Sequence, residues 1–329
     1  MNRSLVWTDI GKMEVRGLET PPLRDGWVRV RSEFCGICGS ELSAFLGQNE
    51  LRRPPSVMGH EFAGEVVEVS GSVDRSLVGQ KVAVNPLVSC GKCRYCRSGL
   101  RNLCIEREII GVNYPGGFAE TVDVPAYSVY RVRDTLNGSF SEPLATALRA
   151  VRKSGIEPGD RVLIIGAGTI GLFALELARK AGADIVAVVE KNAKRAMIAR
   201  EWGADLSLPP EALQDRDFDV AIDAVGFSST RRMAVERVRR GGTVVFLGLH
   251  EPKAEVNGNS IVRDEVSISG SFCYSDEDFS RAVDMINRGT VLRESSWYRV
   301  EALENGQDAF RRMLAEDADV SKTVLRVEG

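Results

Sequence analysis

Four cysteines fall within fifteen residues of this 329-residue chain, as Cys90-Gly-Lys-Cys93-Arg-Tyr-Cys96 and then Cys104. The spacing C-x2-C-x2-C-x7-C brings four thiolates within reach of one ion, and such a set satisfies tetrahedral zinc completely. A closed site of this kind folds the loop that carries it and leaves no position for a substrate. A nucleic-acid zinc ribbon uses the same ligands. Against it stand a single cluster and a net charge of −3, from 43 basic and 46 acidic residues. That balance gives no electrostatic reason to expect nucleic acid or an anionic membrane as partner.

The other cysteines are Cys35, Cys38 and Cys273, seven in all. An odd count with close spacing suits thiolate ligands in a reducing compartment better than disulfides. Met1 to Asp9 contains no apolar run resembling a signal peptide, and no stretch approaches the ~18 apolar residues of a membrane helix. The expected location is the cytoplasm. The length suits two domains.

The chain changes character near Pro143. Before it, short alternating runs (Trp27 to Arg31, Gly64 to Val69, Thr121 to Val124) are separated by Gly and Pro turns. They read as an irregular β domain with the cysteines on loops. After it, a helix is expected over Leu144 to Val151. Apolar strands follow at Arg161 to Ile165, Ile185 to Val189, Phe218 to Ile222 and Thr243 to Leu247, alternating with helices at Thr169 to Ala181 and Ala193 to Trp202. Continuous apolar strands between helices indicate a doubly wound parallel sheet, hence an α/β fold. A helix over Asp276 to Asn287 and a strand near Thr323 to Leu325 complete the pattern.

Gly166-Ala-Gly168-Thr169-Ile170-Gly171 lies directly after an apolar strand and opens a helix. Gly166 permits a tight turn, Gly168 lets backbone approach a pyrophosphate, and Gly171 lets helix and strand pack closely. The helix N-terminus supplies N–H groups to the phosphates. Glu190 ends the next strand, nineteen residues after Gly171. A carboxylate there hydrogen-bonds ribose hydroxyls and repels a 2′-phosphate, which favours NAD. Lys191, Lys194 and Arg195 follow and could accept that phosphate, so NADP stays open.

Cys38, His60 and Glu61 offer one sulfur, one nitrogen and one oxygen. Three protein ligands and an exchangeable fourth position make the pattern of a catalytic zinc. Glu142 could be a fourth or alternating ligand, or a solvated carboxylate at a helix start. Cys35 is expected to fill core space.

At these residues the chain resembles the zinc-dependent medium-chain dehydrogenases. The likeness runs through Cys38-Gly39-Ser40-Glu41, Gly59-His60-Glu61, the four-cysteine lobe, Gly116-Gly117-Phe118-Ala119-Glu120, Glu142-Pro143-Leu144-Ala145 and the glycine loop. The His-Glu pair and the Glu-Pro-Leu-Ala element are most similar to the polyol branch, which includes sorbitol and galactitol-phosphate dehydrogenases. The resemblance implies a GroES-like catalytic domain over 1–143 and 271–329, interrupted by a Rossmann domain over 144–270, in a homodimer or homotetramer. Glu41 stands where the family usually has aspartate. Ser43 stands where many members have a relay histidine. Cys273 stands where sorbitol dehydrogenases carry a substrate-binding arginine, which argues against sorbitol.

The expected activity is therefore NAD-dependent oxidation of a secondary hydroxyl on a polyol, sugar or cyclitol, assisted by zinc as a Lewis acid. Ser40 is expected to take the alcohol proton, while Phe45, Phe118, Phe272 and Tyr274 are candidate pocket walls. His250 faces either the nicotinamide or substrate, or the surface. An amino alcohol is an alternative substrate. A non-enzymatic zinc or nucleotide-binding protein is the alternative class, separable by zinc count: two ions per chain for the enzyme, one for a protein with the lobe alone.

Overall fold

The computed structural model describes residues 1–292 and 296–327. Six strands form one sheet in the spatial order Leu206–Leu208, Ile185–Val189, Arg161–Ile165, Phe218–Asp223, Val238–Phe246 and Ser267–Gly270. Every neighbouring pair is parallel. Counted along the chain the order is 3-2-1-4-5-6, the doubly wound arrangement whose cofactor crevice opens where the order reverses. The central strands Arg161–Ile165 and Ile185–Val189 fall where their apolar runs place them, as do the helices Thr169–Ala181 and Asp276–Asn287. The strand expected at Thr243 starts earlier, at Val238, with a register irregularity opposite Phe218 to Val220. Two edge strands, Leu206–Leu208 and Ser267–Gly270, are too short and too polar to announce themselves in the sequence.

A second, seven-stranded sheet gathers the N-terminal strands and the end of the chain. Its main path runs Val129–Arg131, Lys81–Val84, Glu61–Val69, Trp27–Gly36, Lys322–Arg326 and Tyr298–Ala302, with Thr121–Pro125 also paired to Trp27–Gly36. Trp27–Gly36 is the pivot. Its Gly36 faces Glu61 on one side and Val324 on the other. An additional hairpin, Asn2–Asp9 with Lys12–Leu18, precedes it.

The two sheets share a core. Phe140, Phe173, Trp202 and Trp297 pack together, tilted at 4.9 Å between centroids for Phe140–Trp297 and edge to face at 5.3 Å for Trp202–Trp297 and 5.9 Å for Phe173–Trp202. Aromatic pairs at this spacing and tilt are favourable beyond the area they bury. Cys35 is fully buried in the other large cluster, as expected of a core filler. Among the described residues no helix is long and apolar enough to cross a membrane.

One ion cluster fixes the helix that carries Glu142. This helix, Ser141–Ser154, ends at Gly155 with φ +69°. From its outer face Arg149 and Arg152 reach Asp278, which is also hydrogen-bonded to Ser275 in the capping box of Asp276–Asn287. Burial opposes ionisation of Asp278, but the Ser275 donors and both arginines hold its pKa below the ordinary aspartate range. A depressed carboxylate contributes stability above its unfolded pKa and loses it as pH falls through the folded value. Asp278→Ala should therefore cost about 2–3 kcal/mol at neutral pH, and the difference from the unmodified protein should shrink in acid. Denaturant titrations at neutral and acidic pH measure this. An equal loss at both would place the effect outside the carboxylate's charge.

Candidate active site

Two segments meet beside Gly36 of the seven-stranded sheet. Cys38 is the N-cap of the short helix Gly39–Phe45, while His60 and Glu61 open the strand Glu61–Val69. The Cys38 sulfur, a His60 ring nitrogen and a Glu61 oxygen all lie within 4.8 Å of one another. Gly59 makes this approach possible. It holds φ +101°, and a Cβ there would sit 2.6 Å from the Phe118 nitrogen and 2.8 Å from the Cys35 sulfur.

Glu41 ties the site together. One oxygen accepts from the Gly59 N–H at 2.8 Å and from His60 Nδ1 at 2.8 Å; the other accepts from the Cys38 N–H at 3.0 Å. Burial alone would raise its pKa, but His60, Arg52 and the Cys38 N–H bring it down to about 2. A carboxylate on Nδ1 fixes the ring orientation and leaves Nε2 as the nitrogen able to bind a metal. The sequence marks Glu41 only as a departure from aspartate; its place three residues after an N-cap is the signal that would have found it.

Glu142, in the first turn of Ser141–Ser154, stands beside this group but is not part of it. Burial pushes its pKa up to about 7, with Glu61 adding to the rise and His60, Tyr274 and Lys322 opposing it. Tyr274 is fully buried with its hydroxyl toward Glu142, yet makes no hydrogen bond of good geometry. Cys273 next to it holds φ +45°, a strained backbone for a residue with a Cβ. Phe45 and Phe118 take a different place from the one expected of pocket walls. Both are buried in the core against Phe310, at 5.3 and 6.0 Å between ring centroids. Phe272 lies under the Arg107 guanidinium at 4.4 Å.

Ser40 and Ser43 share the Gly39–Phe45 helix. Arg52, a buried guanidinium, has Nη1 3.4 Å from Ser40 Oγ. Ser43 donates its hydroxyl to the Gly39 carbonyl at 3.2 Å.

The glycine loop has the geometry its glycines permit. Gly166 holds φ +100°, and a Cβ on Gly171 would lie 1.8 Å from the Gly166 oxygen. A Cβ on Gly168 would meet nothing within 4 Å, so that side of the loop is open to a pyrophosphate. Thr169 and half-buried Ile170 begin the helix, and Thr169 Oγ1 donates to the Ser321 carbonyl at 3.0 Å. Ser321 in turn donates to the Ala167 carbonyl at 2.9 Å. Glu190 stands at the end of Ile185–Val189 and accepts from the Ala167 and Asn192 N–H groups, each at 2.8 Å. Lys194 and Arg195 turn away from it, to the carbonyls of Asp317 and Val320. His250 is exposed, against Phe227 at 4.7 Å and 3.0 Å from the Val225 carbonyl.

The four lobe sulfurs lie within 4.8 Å of one another, with Cys93–Cys96 and Cys90–Cys104 at 3.5 Å and Cys90–Cys96 at 4.0 Å. Thiolates 2.3 Å from one tetrahedral zinc stand about 3.8 Å apart, so the donor set fits that ion. The Cys96 N–H and neighbouring backbone donors bring the Cys93 thiol down to about 6, toward the thiolate a metal needs. The lobe docks on the turn beside Glu142: Asn102 donates to the Phe272 carbonyl at 2.8 Å and Arg101 pairs with Asp276 at 3.1 Å.

Comparison with known proteins agrees with this geometry. Residues 24–134 match the alcohol dehydrogenase GroES-like domain and 169–288 the zinc-binding dehydrogenase domain. The chain is 32% identical over 307 residues to L-galactonate-5-dehydrogenase of Escherichia coli, covering 89% of this chain and 87% of that one. It is 28% identical to sorbitol dehydrogenase of Bacillus subtilis, over 95% and 93% of the two chains. A zinc-binding dehydrogenase of Sinorhizobium meliloti, solved bound to NADP, superposes with a TM-score of 0.91 at 31% identity over 99% of both chains. The chain belongs to the zinc-dependent medium-chain alcohol dehydrogenases, oxidoreductases that use zinc and a nicotinamide cofactor, and its fold joins a GroES-like domain to a Rossmann sheet.

Loss of one lobe ligand should release its metal and unfold the lobe locally. Cys93→Ser is expected to lower the thermal midpoint and to remove one zinc per chain from the purified protein. Unchanged stability and zinc content would show that the lobe holds no metal.

Proposed function

We propose that this chain oxidises a secondary hydroxyl of a polyol, sugar or cyclitol with NAD, at a site formed by Cys38, His60, Glu61, Ser40 and Glu142. The convergence of one sulfur, one nitrogen and one oxygen within 4.8 Å carries the reading, and the named activities of relatives such as the galactonate and sorbitol enzymes support the substrate class. Zinc held there would act as a Lewis acid on the substrate hydroxyl, and the nicotinamide would accept the hydride. The same reading takes 144–270 as the cofactor domain and 1–143 with 271–329 as the catalytic domain. Pairing of Lys322–Arg326 with Trp27–Gly36 supports that return. It also takes the protein as a cytoplasmic homodimer or homotetramer, where cysteines outside any disulfide stay reduced.

The protein's own groups supply cofactor choice and proton transfer. Glu190 sits at the strand end nearest the glycine loop, where its charge disfavours a 2′-phosphate. Arg195 is already engaged with Val320. Ser40 Oγ, approached by Arg52 on one side, keeps its own proton and a second lone pair for exchange with a substrate hydroxyl. Ser43 has its hydrogen committed to Gly39.

The unmodified enzyme should prefer NAD, and Glu190→Ala should narrow the gap in kcat/KM between NAD and NADP. A clear NADP preference in the unmodified enzyme would mean that the nearby basic residues outweigh Glu190.

Ser40→Ala should lower kcat by ~10²–10⁴-fold, the usual contribution of a well-placed proton-transfer group, without changing NAD affinity or zinc content. Ser43→Ala should cost much less. Equal losses, or a larger loss at Ser43, would overturn the assignment of the proton to Ser40.

A further inference from the structure

Lys322 opens the strand Lys322–Arg326 and is 1% exposed. Its Nζ donates to Glu61 Oε2 and, at 2.9 Å, to the Ile37 carbonyl. The two side chains come from strands that do not touch, since Glu61–Val69 and Lys322–Arg326 flank Trp27–Gly36 from opposite sides. They meet over Gly36, which pairs with Glu61 on one side and Val324 on the other. A Cβ at residue 36 would lie 2.5 Å from Glu61 Oε2 and 2.6 Å from Lys322 Cε. The missing side chain is what makes room for the pair.

A fully buried ammonium is expensive to desolvate, and an apolar side chain of similar length would pack this strand as well or better. What the lysine does is restrain a carboxylate. With Oε2 held, Glu61 is restrained about its last torsion, and a carboxylate oxygen stays within 4.8 Å of the Cys38 sulfur and a His60 nitrogen.

We propose that Lys322 is the positioning residue of the metal site. It presents Glu61 as a one-oxygen ligand, so that the metal is held by three protein atoms and a position stays open. The inference rests on the reading of Cys38, His60 and Glu61 as metal ligands given above. Positioning and simple charge act in opposite senses here. A lysine that mattered only as a nearby positive charge would repel a divalent cation, and its removal would tighten binding. Removal of a residue that positions a ligand weakens binding.

The test compares the unmodified enzyme with Lys322→Met, Lys322→Arg and Gly36→Ala. Metal content is counted, zinc affinity of the chelatable site is measured by competition with a chromophoric chelator, and the visible absorption is recorded after exchange with cobalt(II). Lys322→Met should weaken zinc at this site by about 10–100-fold, the usual loss for an outer-sphere partner. It should also change the cobalt spectrum and leave the lobe's zinc in place. Gly36→Ala keeps the lysine but pushes a methyl group against both members of the pair, and should act in the same direction. Lys322→Arg keeps a donor and should retain part of the affinity that Lys322→Met loses. Two zinc ions in the unmodified enzyme, with unchanged or tighter binding and an unchanged cobalt spectrum in Lys322→Met, would overturn the role of Lys322 alone. If Lys322→Met fails to fold, the same outcome in Gly36→Ala would overturn it. A single zinc in the unmodified enzyme would overturn the metal reading and this inference with it.

Discussion

The return of the last strand to the edge of Trp27–Gly36 is the constraint on which both candidate sites depend. Its ladder pairs Val324, Leu325 and Arg326 with Gly36, Cys35 and Phe34. The Thr323 carbonyl then accepts from the Ile37 N–H at 2.9 Å, which sets the backbone just before Cys38. One residue earlier, Lys322 reaches Glu61. Earlier again, Ser321 is hydrogen-bonded to the glycine loop through Ala167 and Thr169. Three consecutive residues thus touch the cysteine turn, the candidate metal ligand and the nucleotide loop. Hydride transfer tolerates little error in the distance between two bound groups. A single rigid strand that touches both binding elements is an economical way to fix that distance.

The same region concentrates charge where water is scarce. Burying a charge is unfavourable unless it is paired or richly hydrogen-bonded. Glu41 meets that requirement with two N–H donors and a histidine, and Glu61 with a lysine. Among the described residues Glu142 has the ill-aligned Tyr274 hydroxyl and more distant charges, and its pKa stands near 7 while that of Glu41 stands near 2. Three carboxylates in one pocket are therefore not equivalent. Glu41 is held as an anion by its partners, and Glu142 is held close to neutrality by burial. This division follows from the hydrogen-bond donors available to each.

The parts of this arrangement that were legible in the sequence are those with a local signal. Strands buried on both faces write continuous apolar runs, so Arg161–Ile165 and Ile185–Val189 could be placed to the residue. The helix Thr169–Ala181 begins with its glycine motif and ends before Gly182 in the left-handed region. Cys38, His60 and Glu61 were legible because few chemistries need those residue types together. What stayed hidden depends on strand pairing across long separations. Lys322 follows Ser321 and precedes Thr323, with no pattern that marks a buried charge, and nothing near it in sequence says that Glu61, 261 residues away, lies two strands over. Arg52 reads as one of two adjacent basic residues before Pro54, a pattern of surface loops, yet it is buried against Ser40. Phe45 and Phe118 misled for a related reason. An aromatic residue close in sequence to a ligand can point either way, and here Phe310, from a distant helix, draws both into the core.

The four-cysteine lobe raises a different question, since a closed metal site does no chemistry of its own. Its attachments give a physical answer. Asn102 and Arg101 lie just before Cys104, and Arg107 just after it. Asn102 donates to the Phe272 carbonyl, Arg107 donates to the Asn102 carbonyl at 2.6 Å and covers the Phe272 ring, and Arg101 pairs with Asp276. These contacts clamp both ends of a turn that contains Cys273 in the left-handed region and Tyr274 against Glu142. A non-glycine residue at positive φ persists only where its surroundings over-determine it. The lobe is too poor in apolar side chains to be rigid by packing alone, and four ligands on one ion would supply the rigidity instead. Metal held in the lobe would therefore bear on the pocket through the 272–276 turn, although the lobe has no open coordination position of its own.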